Sequence, residues 1–143
     1  MTNVAQVIQH KADQQVFTIS PDSTVLEAIS VMADKGIGAF VVTDGDRIVG
    51  ILSERDYTRK IALMERSSYS TTVNEIMTSS VLTVTLSHTV EDCLQLITDR
   101  HLRHLPVVEQ DKLVGLVSIG DLVKATMEDQ KKMIQQLRQY ISG

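Results

Sequence analysis

Residues 38–56 read GAFVVTDGDRIVGILSERD, and residues 103–121 read RHLPVVEQDKLVGLVSIGD. Laid over one another, they place Val42 on Val107, Asp46 on Asp111, Val49-Gly50 on Val114-Gly115, Ser53 on Ser118 and Asp56 on Asp121. The offset is 65 throughout (Gly50 to Gly115, Asp56 to Asp121). Where identity fails, apolar character persists: Phe40 lies over Leu105, Ile48 over Leu113 and Ile51 over Leu116. The register continues upstream, with Val16-Phe17-Thr18-Ile19 over Val81-Leu82-Thr83-Val84, Thr24-Val25 over Thr89-Val90, and Asp34 over Asp99. A gapless match over about 45 positions marks two copies of one structural unit.

Each copy reads as β-α-β-β-α. A short strand opens it, at 16–19 and 81–84. Thr24-x-x-Glu27 and Thr89-x-x-Asp92 then have the form of capping boxes, in which hydroxyl and carboxylate satisfy the free N–H groups of a helix start. Val25, Ile29 and Met32, like Val90, Leu94 and Ile97, recur at helical spacing and predict a buried stripe. Two strands follow as a hairpin, 39–43 with 47–52 around Asp44-Gly45-Asp46, and 104–109 with 112–117 around Gln110-Asp111. Asp-Gly between apolar runs is a strong turn signal. A second helix starts near Ser53 and near Ser118. A unit of about 50 residues buries too little surface to be secure alone. The expected architecture is therefore α/β, with two β-α-β-β-α units packed through their sheets in pseudo-twofold fashion. Domain boundaries are expected at 1–66 and 67–143, with the polar run 64–72 as linker.

Two helices are expected outside the repeat. Residues 2–12 predict a short helix using Val4, Val7 and Ile8. The tail from Asp121 to Ile141 lacks Gly and Pro and predicts one long helix whose far end projects. Met133, Leu137 and Ile141 form a stripe on it, open to solvation or to a dimer contact.

Composition narrows the function. The chain has 143 residues, a formal net charge of −4 and one cysteine, Cys93. An acidic balance argues against general nucleic-acid binding. A single cysteine leaves no intrachain disulfide and no CxxC motif. No run is long and apolar enough to span a membrane, and the N-terminus lacks a signal-peptide core, so a cytoplasmic location is expected. His88, His101 and His104 have no ligand partners at a zinc spacing, and no metal is expected. Cys93 reads as an inert core thiol. No GxSxG, GxxxxGK[ST] or HExxH pattern occurs, and no catalytic residue is assigned.

The two stretches quoted at the outset resemble the signature of CBS (cystathionine β-synthase-type) domains. The resemblance covers nearly the whole chain and is closer in the second copy, with His104-Leu105-Pro106-Val107-Val108; the first has Val41 where the family usually has proline. It implies a non-catalytic regulatory module binding an adenine nucleotide in the cleft between its halves. AMP is the first expectation, with ATP, ADP or an NAD(H)-type dinucleotide as alternatives, and energy or redox state is passed to an effector protein. The family motif Gly-h-h-Ser/Thr-x-x-Asp, where h is apolar, appears as Gly50-Ile51-Leu52-Ser53-Glu54-Arg55-Asp56 and Gly115-Leu116-Val117-Ser118-Ile119-Gly120-Asp121. By this resemblance Asp56 and Asp121 accept the ribose hydroxyls and Ser53 and Ser118 donate toward phosphate. The glycine is expected to let the strand approach the ligand. The adenine slot is carried over to Thr18 and Ile19 with Ile37, Gly38 and Ala39, and to Thr83 and Val84 with Arg103, His104, Leu105 and Pro106.

Physical chemistry allows this: a helix start attracts anions, and a carboxylate inside it receives a diol. The same Ser-x-x-Asp pattern is also a plain capping box, a reading the residues leave open. The copies differ in charge. Arg55, Arg59 and Lys60 follow the first motif, whereas Gly120 and Ala125 replace Arg55 and Lys60 in the second. A more highly phosphorylated ligand is therefore expected in the first copy and a monophosphate in the second. A homodimer is expected. The alternative function is a ligand-free structural or protein-interaction adaptor.

Overall fold

The protein is described by a computed structural model covering residues 2–11 and 15–142. The elements in chain order are α1 (Val4–Gln9), β1 (Thr18–Ile19), α2 (Val25–Lys35), β2 (Ala39–Asp44), β3 (Arg47–Ser53), α3 (Glu54–Tyr57), a π-helical turn (Thr58–Ala62), α4 (Val73–Ile76), α5 (Val90–Arg100), β4 (His104–Glu109), β5 (Lys112–Ser118) and α6 (Ile119–Ser142). The chain divides into two compact units, Val16–Leu82 and Thr83–Gly143 together with Met1–Gln15. The N-terminal helix thus belongs with the second repeat, although it precedes the first. Ala12, in the stretch expected to be helical, lies outside the described residues.

In the first unit β1 runs parallel to β2, and β2 pairs antiparallel with β3. Helix α2 starts where Thr24 accepts a hydrogen bond from the Glu27 N–H; it ends at Gly36, whose φ of 66° suits a residue without Cβ. Val25, Ala28 and Met32 of α2 pack with Phe40, Val42, Leu52, Ile61, Val73 and Ile76 as one core, which Ile29 borders. Buried residues recur at i, i+3 and i+7, close to the expected stripe. The second unit repeats the scheme with α5 over β4 and β5. Its buried side chains include Val90, Cys93, Ile97, Leu105, Val107, Val117 and Leu122. Thr89 and Asp92 form the complete capping box.

Both hairpins close in two residues and carry a bulge at the same place. Val42 pairs with Gly50 but Thr43 with Ile48; Val107 pairs with Gly115 but Val108 with Leu113. The extra residues, Val49 and Val114, are 65 apart, so the irregularity belongs to the repeat itself.

The first strand differs between copies. In place of a strand at 81–84, only Val84 bridges to Val107. The cause is Pro106. In the first copy the Val41 N–H donates to the Phe17 carbonyl at 3.4 Å. Its counterpart Pro106 has no N–H to give to Leu82, so the ladder stops.

The fold also contains a second repeat. The Val4 N–H donates to the His88 carbonyl and the Val90 N–H to the Thr2 carbonyl. In the other unit the Val73 N–H donates to the Ser23 carbonyl and the Val25 N–H to the Thr71 carbonyl. Asn3 bridges to Thr89 as Thr72 bridges to Thr24. Each segment starts with a capping box, Asn3 with Gln6 and Thr72 with Glu75. Residues 2–9 and 71–78 are therefore equivalent covers, offset by 69 (Val4 to Val73, Ile8 to Met77). The cover preceding copy 1 packs on copy 2, and the cover following copy 1 packs back on copy 1.

Candidate functional site

Each β3- or β5-type strand ends in a serine that becomes the N-cap of the next helix. In the first unit the Ser53 N–H donates to Asp56 Oδ2 at 2.9 Å, and the Asp56 N–H donates to Ser53 Oγ at 3.3 Å. In the second unit the Ser118 N–H donates to Asp121 Oδ2 at 2.9 Å, and the Asp121 N–H donates to Ser118 Oγ at 3.1 Å. The capping geometry is thus present in both copies. It does not use all of either carboxylate, which has about four lone-pair positions. Asp121 Oδ1 accepts no hydrogen bond among the described residues. Asp56 Oδ1 accepts from the Thr78 hydroxyl at 3.4 Å and lies 3.4 Å from Lys60 Nζ.

Each carboxylate also has an ammonium beside it. Lys60, one turn further along the chain, faces Asp56 and donates to the Ile76 carbonyl at 2.8 Å. Lys11 faces Asp121 at 3.0 Å and donates to the Leu116 carbonyl at 2.8 Å. Lys11 lies just after the N-terminal cover and fills the role that Ala125 leaves vacant in α6. The charge difference expected between the copies is therefore smaller at the carboxylates than the aligned motifs suggest. Lys11 and Thr78 are the neighbours that the motif reading missed. The signal that would have found them is Thr2-Asn3-Val4-x-x-Val7-Ile8 against Thr71-Thr72-Val73-x-x-Ile76-Met77.

The remaining candidates gather at the same end of each sheet. The Glu54 N–H donates to the Gly38 carbonyl at 3.0 Å and Ala39 pairs with Ser53, so Ile37, Gly38 and Ala39 border the Ser53 helix start. Thr18 and Ile19 pair with Val41 and Val42 in the next strand; Ile19 and Ile37 also pack on the unit core. In the second unit the Ile119 N–H donates to the Arg103 carbonyl at 2.9 Å, and His104, Leu105 and Pro106 pair with Ser118, Val117 and Leu116. Val84 joins this end through its bond to the Pro106 carbonyl, with the exposed Thr83 before it. Arg55 and Arg59 are exposed on α3 and the π-helical turn, and the cation at the Asp56 carboxylate is Lys60.

The glycines have a packing role within each unit. A Cβ on Gly50 would run into Met77, and a Cβ on Gly115 would run into Ile8. These glycines admit the covers. Burial pushes the Cys93 thiol up to about 11, as an inert core thiol requires. His88 is part of a turn, its Nδ1 accepting from the Thr85 N–H at 2.9 Å. Among the described residues no cluster of His, Cys, Asp or Glu has the makings of a metal site, and no helix is long and apolar enough to cross a membrane.

Two copies of one α/β unit, each closed by a Ser-x-x-Asp helix start, define a tandem-repeat module. The chain belongs to the CBS domain family, whose profile matches residues 4–63 and 73–128. A CBS-domain protein from Burkholderia ambifaria is 50% identical with a TM-score of 0.85, covering 90% of this chain and 96% of its own. A mitochondrial CBS domain-containing protein of Arabidopsis thaliana is 38% identical over 150 residues, 99% of this chain and 73% of the relative. The CBS domain-containing protein YhcV of Bacillus subtilis is 34% identical over 116 residues, 81% of this chain and 82% of the relative. CBS-domain pairs of this kind are regulatory rather than catalytic.

Proposed function

We propose that the chain is a cytoplasmic sensor that binds an adenine nucleotide at its Ser-x-x-Asp helix starts and passes the occupancy, as energy or redox state, to an effector protein. AMP is the first candidate, with ATP, ADP and NAD(H)-type dinucleotides as the others, and the chain acts as a homodimer. The observation carrying this reading is the pair of matched, partly buried carboxylates, each with lone pairs to spare and an ammonium beside it. A ribose cis-diol donates two hydrogen bonds to such a carboxylate, and charge-assisted bonds are the stronger kind. The adjacent ammonium and helix start favour phosphate. In support, a CBS domain pair of the same fold, 21% identical with a TM-score of 0.77, has been solved in complex with 5′-methylthioadenosine and S-adenosyl-L-methionine.

Thermal melting with and without millimolar AMP, ATP and NADH tests the proposal. A bound nucleotide stabilises the fold by about 2.7 kcal/mol at a hundredfold excess over its Kd. Asp56→Asn with Asp121→Asn should abolish that gain while leaving the unliganded melt within about 1 kcal/mol, because the Asn side-chain carbonyl can still accept from the N–H of the capping serine. No shift with any of the three nucleotides would leave Ser-x-x-Asp as a cap alone and the chain as an adaptor. The charge difference between copies is tested by titrating Arg55→Ala calorimetrically: ATP should lose more affinity than AMP, and equal losses would remove the assignment of the more phosphorylated ligand to the first copy.

A further inference from the structure

Every residue of α6 from Gln130 to Ser142 is exposed. The helix nevertheless continues for 13 residues, about 20 Å at 1.5 Å per residue. Its exposed apolar side chains are not scattered. Val123, Met127, Ile134, Leu137 and Ile141, with Gln130 among them, fall at alternating steps of four and three. That is the 3.5-residue period of a coiled-coil seam. The seam differs from the face α6 turns to its own unit, which carries the fully buried Leu122 and Asp129, the acceptor from Thr2.

We propose that α6 pairs with α6 of a second copy as a parallel, two-stranded coiled coil along this seam. Three arguments select a second copy in parallel. Ile134 and Ile141 take one seam position and Leu137 the other, and β-branched residues with leucine in that arrangement favour two parallel strands. Gln130 is the one polar seam residue, and like polar residues pair across such a seam when register is shared. Lys124, Lys131 and Arg138 recur every seventh residue along one edge, and none joins an ion pair among the described residues. An antiparallel partner would set this row against itself. A parallel partner sets it against Ile119, Thr126 and Met133, whose apolar surface accepts the aliphatic stems of the cations. The extent is sufficient as well. Each buried side chain contributes on the order of 60–120 Å² of apolar surface. The seam with Met133 and Tyr140 therefore brings two helices to about 1,000 Å², the threshold of a specific interface. This pairing is independent of nucleotide binding.

Disulfide trapping in the full-length chain tests it, with Cys93 silent because its thiol is buried. Under mild oxidation Met127→Cys and Ile141→Cys should each form homodimeric disulfides efficiently, because identical residues face one another only in parallel register. A Met127→Cys, Ile141→Cys chain that instead links 127 to 141 between copies would overturn the proposal. Sedimentation gives the second measurement. Ile134→Lys with Leu137→Lys alters exposed positions outside both cores, so melting at concentrations where the wild type is monomeric should be unchanged. Self-association should weaken by a factor of about 100 or more. A dimer of undiminished affinity in that variant, or a wild-type chain that stays monomeric at every concentration, would be fatal to the proposal.

Discussion

His101 ends α5 with φ 55°, where Gly36 ends α2 with φ 66° in the other copy. The backbone shape is shared, but only the glycine, which has no Cβ to crowd, adopts it freely. For a side-chain-bearing residue the left-handed region costs on the order of 1 kcal/mol. His101→Gly should therefore stabilise the protein by about 0.5–1 kcal/mol, seen as a rise of about 2–5 °C in Tm. Gly36→His should lower it by a similar amount. Sequence alone shows Gly36 as a helix stop. It does not show His101 as one, because a histidine announces neither the left-handed turn nor its cost. Gly50 and Gly115 are legible in the same partial way. Their repetition at one offset marks a constraint on Cβ, but which side chain occupies the space depends on segments far away in the chain.

At the scale of elements, most helix starts were legible because their caps are short and local. Thr89 with Asp92 closes as the box expected there, whereas the start at Thr72, whose N–H donates to Glu75, fell in the stretch read as linker. The Thr89 and Thr72 backbone N–H groups hold the Asp92 and Glu75 carboxyls below their ordinary values. A carboxylate depressed in the folded state stabilises above the unfolded pKa and loses that contribution as pH falls through the folded one. Tm should accordingly fall between about pH 5 and pH 3, and Asp92→Asn should flatten the fall, since Asn carries no titrating charge. Other elements escaped local reading. Strand 81–84 shrinks to one bridge because of Pro106, a residue more than 20 positions away. The second helix of copy 1 becomes four α-helical residues and a π-helical turn, and the structure offers no sequence signal for that change.

For the whole molecule, the doubling was legible because the 65-residue offset has no gaps. The covers were not, because theirs is 69 and each sits beside the wrong copy in sequence. Lys11 escaped notice for the same reason: no local pattern links it to Asp121, 110 positions later. The arrangement makes a regional prediction. Val4 is fully buried in the second unit. Val4→Ala should destabilise by on the order of 1–3 kcal/mol. Hydrogen exchange should then quicken first in β4 and β5, while β2 and β3 keep their protection. Quickening first in β2 and β3 would mean that the N-terminal segment belongs to the first repeat after all. Lys11→Met should leave the helix start of α6 intact, since Ser118 and Asp121 cap each other without it.

The placement of the covers also sets an order of assembly during synthesis. The first repeat has its closing segment, residues 71–78, as soon as the ribosome has released it. Residues 2–9 emerge before the first repeat, yet their seat at His88, Thr89 and Gly115 is made after it. Until then Val4 and Val7 have nowhere to be buried. Cleavage between residues 64 and 70 would leave two fragments, the first carrying the piece that finishes the second and the second carrying the piece that finishes the first. Each fragment alone would be incomplete, and mixing the two would restore both repeats.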